Sequence, residues 1–258
     1  MKRKLLSNLI TIVFSLSFIT TSFPVQSAEE NGIVGLSKTP YFPEIENQKG
    51  MGSCAAFAAT YYQISYAVNK KLNNSLENRI AFCPKFTYNV TNGGTDAGSN
   101  LIENYRFMQK YGCLSIKDYP YDEKDFSSWP TNAETWREAQ KYSIADNGIE
   151  SVDLTSKDNP NYVNIDAVKL LLQKGYILNC STYMDANVGT NIQVDNTSQY
   201  IAYYSNTSFS GAHALTVVGY NDNIAVDINQ DGQIEDNERG ALKIANSEGT
   251  DDNNDGFF

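Results

Sequence analysis

The chain is 258 residues long, carries a formal net charge of −10 and is 41% apolar, with 17 tyrosines. That composition describes an ordinary globular core and excludes a disordered chain, and the length fits one large domain or two intimately packed lobes. The acidic excess argues against nucleic acid or an anionic lipid surface as a partner and leaves the substrate unspecified.

Met1-Lys2-Arg3-Lys4 precede a mostly apolar stretch over residues 5–23, which exits through Val25-Gln26-Ser27-Ala28 into Glu29-Glu30. A basic start, an apolar middle and a small-residue end predict a signal peptide over residues 1–28 and a mature domain over residues 29–258. Ser7, Asn8, Ser15 and Ser17 interrupt the apolar run, which favours cleavage over a retained anchor. No later stretch approaches the ~20 apolar residues of a membrane span. The mature protein is expected to be secreted, extracellular or at the cell surface, with no membrane association after cleavage. Loss of Lys2, Arg3 and Lys4 leaves 17 basic against 30 acidic residues, a net charge of about −13.

Residues 53–72 read as a helix, with Ser53 as N-cap and an apolar stripe of Phe57, Tyr61, Ile64 and Val68. A second helix is predicted over residues 99–111, stopped by Gly112, and a third over residues 165–174, stopped by Gly175. Residues 177–181, 214–220 and 241–245 read as buried strands. Between them, the Asn/Thr/Ser-rich residues 181–210 read as a long surface loop with little regular structure. Helices first and strands later predict an α+β fold of two lobes. The cysteines are Cys54, Cys83, Cys113 and Cys180. With Cys54 reserved as a nucleophile, at most one bridge is possible among the rest; spacing does not select a pair, and packed or free thiols are expected.

Cys54 falls in the first turn of the first helix, where backbone N–H groups and the helix dipole favour the reactive thiolate. The chain has a single histidine, His213, so no other base competes for a Cys–His pair. Asn246 can hold the imidazole through its other ring nitrogen. Gln48, six residues before Cys54, can place its side-chain amide beside the Cys54 N–H, and two such donors form an oxyanion hole. Each residue alone has an ordinary structural reading as a buried thiol, a core histidine or a turn asparagine; the joint pattern outweighs them.

The run Gln48-Lys49-Gly50-Met51-Gly52-Ser53-Cys54-Ala55-Ala56-Phe57-Ala58 resembles the nucleophile signature of the papain-like (C1) cysteine proteases. Gly211-Ala212-His213 through Gly219-Tyr220 resembles the family's histidine strand, and Asn246-Ser247-Glu248-Gly249 its Asn-Ser-Trp-Gly turn. Asn92-Gly93-Gly94 is similar to the family's substrate-binding strand, and Tyr111-Gly112 with Tyr119-Pro120-Tyr121 to its Tyr-Gly and Tyr-Pro-Tyr segment. The resemblance implies a papain-like fold with a helical and a β-rich lobe, a Cys54–His213–Asn246 site with Gln48, peptide pairing at Gly93 and Gly94, and a protein or peptide substrate. Three positions depart from it. Met51 stands where many relatives have a bridged cysteine, Ala55 replaces a tryptophan, and Glu248 replaces the tryptophan that shields the His–Asn bond, where a carboxylate can expose that bond or raise the His213 pKa. Relatives continue through further strands after Gly249, so unpaired edges near Asn246 are expected. They also carry a long propeptide, for which the short lead over residues 28–39 leaves no room.

The 33 residues from His213 to Asn246 exceed two strands and a turn. They contain Asp227, Asn229, Asp231, Gly232, Gln233, Ile234 and Glu238 at the spacing of a twelve-residue EF-hand calcium loop. Calcium is expected as a structural ion held by Asp227, Asn229, Asp231, Gln233 through its carbonyl, and Glu238, in a hairpin insertion whose alternative is a solvated acidic turn. The half-repeat over residues 251–256 lacks the final glutamate and is not expected to bind. The sequence therefore predicts a secreted cysteine endopeptidase with no cofactor for catalysis. The rival readings are a catalytically degenerate calcium-binding or peptide-binding surface module, and an aminopeptidase or acyl transferase on the same scaffold.

Overall fold

The computed structural model describes residues 11–15, 29–30, 32–153, 164–183, 187–194, 197–205, 212–251, 253 and 255–258. Most of the predicted signal peptide, residues 1–10 and 16–28, lies outside the described residues, as does Gly211 of the histidine motif.

The helix expected over residues 53–72 is one continuous post of mixed winding: α1 (Cys54–Ala56), a π-helical stretch over Phe57–Ile64, and α2 (Ser65–Leu72). All eight residues of the π-helical stretch are buried, so the post is surrounded on every side. It ends at Asn73, whose left-handed backbone (φ 52°) turns its N–H back onto the Asn69 and Lys70 carbonyls. Ser53 does not act as the expected side-chain cap: its backbone is not extended, and its hydroxyl instead pairs with the Tyr121 hydroxyl at 3.0 Å. Around the post pack α3 (Pro84–Thr91), α4 (Leu101–Tyr111) and α5 (Ala133–Gln140). The Asn100 side chain caps α4 by accepting from the Ile102 N–H at 2.8 Å. Gly112 closes that helix, as predicted, at φ 78°, where a Cβ would lie 1.9 Å from the Ala139 carbonyl oxygen.

Of the second lobe, the spine is a fourteen-residue strand, β8 (Ala212–Ala225). Along one edge it pairs with β5 (Leu178–Tyr183) and then β3 (Ile33–Gly35), and along the other with β9 (Arg239–Ala245), all antiparallel. With β1 (Thr11–Ser15), β2 (Glu29–Glu30) and β4 (Ile149–Asp153), the sheet has seven strands in the order β2-β3-β8-β5-β1-β4, with β9 also on β8. The helix α6 (Ile165–Gln173) packs on β8 through buried Val168 and Leu172. No helix among the described residues is long and apolar enough to cross a membrane.

Two expectations are corrected. The polar segment 181–210 is not largely irregular: β6 (Asn187–Val194) and β7 (Thr197–Ser205) form a separate antiparallel hairpin. Val188, Thr190, Ile192 and Val194 alternate with polar neighbours at the strand period, a signal that average polarity hides. The edge expected to be open near Asn246 is covered locally, because Phe258 exchanges both backbone hydrogen bonds with Ile244, and Phe257 bridges Ala245. The remaining cysteines, Cys83, Cys113 and Cys180, are buried and free, as anticipated.

A buried polar relay joins the lobes. Gln63 of the post donates to the Ile177 carbonyl at 2.8 Å and accepts from the Tyr105 hydroxyl of α4. The Asn179 amide of β5 donates to that hydroxyl at 2.6 Å and accepts from the Thr216 hydroxyl of β8 at 2.7 Å. All four side chains are at most 2% exposed, so each donor and acceptor depends on its protein partner. Tyr105→Phe should lower unfolding stability by about 1–3 kcal/mol, because it leaves buried amide groups short of a partner without opening a cavity. A urea titration checks this: the midpoint falls at unchanged slope.

Candidate active site

Cys54 opens α1 at the top of the post and is half-buried. His213 is the second residue of β8, opposite Thr182 in the β5 register, and Asn246 follows the last residue of β9. The β8–β9 pairing thus brings together two residues that the sequence separates by 33 positions. His213 Nε2 lies 2.7 Å from Asn246 Oδ1, which also accepts the Ser247 N–H at 2.8 Å. With Nε2 on Asn246, Nδ1 is the ring nitrogen left for the Cys54 thiol, the strongest of the influences that raise the imidazole pKa.

Asn246 is fixed through its main chain as well. Its N–H donates to the Gly256 carbonyl at 3.0 Å, and its carbonyl accepts the Tyr62 hydroxyl from the post at 2.6 Å. Tyr62 is in turn stacked on Phe42, with ring centroids 5.4 Å apart.

The electrostatics of the pair follow from this placement. Burial acts to raise the Cys54 pKa, but the hydrogen bond and charge of His213, with the Ala214 and Ala55 backbone N–H groups, outweigh it and hold the thiol below its usual value. Burial acts to lower the His213 pKa, and the bonds to Cys54 and Asn246, with a smaller contribution from Glu248, outweigh it and raise it. Each group favours the charged form of the other. Cys83 and Cys180, by contrast, are pushed up to about 11 and about 12 by burial.

Gln48 is anchored from three directions. Its side-chain oxygen accepts the Ser247 hydroxyl at 2.5 Å, and its backbone N–H donates to the Ser247 carbonyl at 2.7 Å. Its own carbonyl accepts the Tyr121 hydroxyl at 2.8 Å. One hydrogen of its amide goes to the Met51 carbonyl at 3.0 Å, leaving the second to point elsewhere. Ser247, Tyr62 and Tyr121 carry this scaffold without having been singled out in the sequence. Ser247 stood within the Asn246 motif, and Tyr121 within the Tyr-Pro-Tyr segment, so each was visible as a pattern but not as a contact.

Asn92, Gly93 and Gly94 form a turn after α3 rather than a strand. Both glycines have positive φ, 69° and 81°, and the Gly94 N–H donates to the Asn92 side chain. A Cβ at either glycine would meet nothing within 4 Å, so open space lies beside this turn.

In the acidic loop, the Asp231 and Gly232 N–H groups donate to Asp227, and the Asn229 and Asp231 side chains accept from Asp231 and Gln233. Glu238 accepts from Ile228 and Asn229 at 2.8 and 3.2 Å. The carboxylates are thus turned onto backbone donors, and among the described residues no three His, Cys, Asp or Glu side chains are grouped to hold a metal.

Residues 36–258 match the sequence profile of the papain family cysteine proteases. The chain belongs to that family. Its substrates are accordingly proteins or peptides. Among solved structures, xylellain, a cysteine protease from Xylella fastidiosa, is similar at 20% identity and a TM-score of 0.59, over 95% of this chain and 84% of that one. The bromelain protease from Ananas comosus, solved with the E64 inhibitor, is similar at 14% identity and a TM-score of 0.54, over 89% and 88%. No curated protein sequence gives a match. These likenesses bear out the papain-like α+β fold.

The departures from the papain pattern are accommodated by packing. Met51 is 1% exposed and clusters with Ala56 and Tyr88, filling its position with an apolar side chain. Ala55 is buried among the helical-lobe core. Glu248 is exposed, yet Asn246 remains 4% exposed, so its side of the His–Asn bond stays dry without the tryptophan. Thiol alkylation should separate Cys54 from the other three cysteines. In the folded chain, iodoacetamide should react first at Cys54 with an inflection below the usual thiol range. His213→Ala removes the hydrogen bond and charge while the burial stays, so that inflection should move to higher pH.

Proposed function

We propose that this papain-family chain is a secreted cysteine endopeptidase acting through Cys54, His213, Asn246 and Gln48. The observation that carries the reading is the placement of Cys54 at the start of the post with His213 as its partner, the 2.7 Å bond from that ring to Asn246, and a Gln48 amide with one hydrogen uncommitted among the described residues. The Cys54 thiolate attacks the substrate carbonyl carbon, and the carbonyl π electrons move onto oxygen. The oxyanion is met by the Cys54 backbone N–H and the Gln48 side-chain N–H. Collapse of the intermediate breaks the C–N bond, and the imidazolium of His213 gives its proton to the departing amine. This leaves a thioester on Cys54. His213, now neutral, takes a proton from water, whose oxygen attacks the thioester carbon, and the acid and thiolate are released. Asn246 keeps the ring in the orientation both transfers need, and Gly93 and Gly94 offer an open turn along which peptide backbone can lie.

Export is part of the proposal and rests on the leader pattern of residues 1–28. A structural calcium at the loop over residues 227–238 is another part, supported by hard oxygen donors at Asp227, Asn229 and Asp231 already gathered around one turn. The Gln233 carbonyl and Glu238 would complete the set, Glu238 by turning from the Ile228 and Asn229 N–H groups.

Residues 29–258 should hydrolyse blocked fluorogenic peptides in reductant. Cys54→Ala should fall to background, Gln48→Ala should lower kcat by about a hundredfold, and E64 should form one covalent adduct at Cys54. A folded protein with neither turnover nor adduct would establish the non-catalytic module instead. Blocked and free-ended peptides cleaved internally argue for an endopeptidase over an aminopeptidase. For the loop, calcium at 100 times its dissociation constant should stabilise the fold by about 2.7 kcal/mol. Matching melting temperatures in millimolar calcium and in EDTA would reduce the loop to an acidic turn.

A further inference from the structure

A carboxylate with no ion-pair partner among the described residues is anchored on Gly52, two residues before the nucleophile. Asp96, on the loop after the Gly93–Gly94 turn, accepts the Gly52 N–H at 2.8 Å and the Tyr88 hydroxyl at 2.5 Å, both on Oδ1. Gly52 is two residues before Cys54. The site is tight: a Cβ at Gly52 would lie 3.1 Å from the Gly98 nitrogen, 3.1 Å from the Tyr88 hydroxyl and 3.3 Å from Asp96 Oδ1. The Tyr88 hydroxyl resists ionisation because it is desolvated and donates to Asp96, and because the charges of Asp96 and Cys54 both oppose a further anion. The thiol and the Asp96 carboxylate therefore share one electrostatic neighbourhood.

Only one oxygen of Asp96 is used in this anchoring. The residue is exposed, and no lysine or arginine among the described residues forms an ion pair with it. All of its partners belong to the helical lobe, whereas His213 projects from the β-rich lobe. In the cysteine-peptidase reading, on which this inference rests, His213 protonates the leaving amine. The acyl half of the substrate therefore lies along the opposite wall, past Gly52 and the open Gly93–Gly94 turn.

We propose that Asp96 is a specificity-determining residue that selects a basic side chain, arginine or lysine, on the residue whose carbonyl Cys54 attacks. The chemistry suits it. Oδ1 is fixed by two donors, which orients the carboxylate, and Oδ2 is left to accept a charge-assisted hydrogen bond from a guanidinium or ammonium group. An acidic side chain at the same substrate position would meet a like charge.

The test is a panel of blocked fluorogenic peptides identical except for arginine, lysine, glutamine or glutamate before the scissile bond, hydrolysed by the wild-type chain and by Asp96→Asn. Asparagine keeps an oxygen for the Gly52 N–H and the Tyr88 hydroxyl but removes the charge. Wild type should prefer arginine and lysine over glutamine and discriminate against glutamate. In Asp96→Asn the arginine-to-glutamine ratio of kcat/KM should fall about tenfold. The wild-type ratio should also fall as salt rises. An unchanged ratio in Asp96→Asn overturns the assignment of Asp96 alone. If that variant does not fold, a wild type that shows no preference for arginine or lysine over glutamine overturns it as well. A folded wild type that cleaves no member of the panel and forms no E64 adduct overturns the peptidase reading and this inference with it.

Discussion

The alignment of Cys54 with His213 is set across a boundary between two lobes, and that boundary is held by hydrogen bonds among side chains buried from water. Gln63, Tyr105, Asn179 and Thr216 come from the central post, a flanking helix and two adjacent strands. Apolar burial is non-directional, so on its own it would specify this register less sharply. A buried relay of this kind is directional, since a displaced donor loses its partner and is left in a dry interior. The π-helical winding of the post belongs to the same constraint. It spans the stretch from which Tyr62 reaches Asn246 and Gln63 reaches Ile177, so one segment carries both lobe registration and support for the imidazole's partner.

Gln48 and Ser247 tie the same boundary from the other end of the cleft. Their backbones pair, and the Ser247 hydroxyl fixes which way the Gln48 amide points. Because an amide group can present either oxygen or nitrogen, a donor to the oxyanion exists only when the oxygen is already committed. Ser247 makes that commitment. The next residue, Glu248, takes part through its backbone carbonyl, which accepts the Asn47 amide, while the charge of its side chain acts on His213. That division of labour explains how a glutamate can stand at position 248 while the bond beside it stays protected.

Much of this was legible in the order of residues. The post, α4, α6 and the three inner strands follow apolar periodicity, and the helices stop at Asn73, at Gly112 and just before Gly175, where the backbone turns to positive φ. The four site residues were legible because each has a distinct chemical type at a distinctive spacing, and the lone histidine removed ambiguity. What was not legible depends on distance through space. Ser53 looked like a cap because serine before a helix usually is one; the Tyr121 hydroxyl, 68 residues away, claimed it instead. The β6–β7 hairpin was hidden because its apolar positions are diluted by asparagine, threonine and serine. Asp96 had no sequence signal at all, since only the fold brings it to Gly52.

His213 and Asn246 sit at the base of a single hairpin whose tip is the acidic loop. From Thr216 to Ala225, β8 runs roughly 30 Å at the usual rise of an antiparallel strand. The alignment of the two residues is therefore decided by the ladder near Thr216 and Ala245, and irregularities between Val217 and Gly219 and between Asn221 and Ala225 absorb any mismatch farther out. Residues can be gained, lost or exchanged at the tip with no change in how the base is read. A single insertion between positions 213 and 216 would instead turn the imidazole to the opposite face of the sheet. The hairpin is thus two territories in one element: a base where length is fixed, and a tip open to evolutionary experiment.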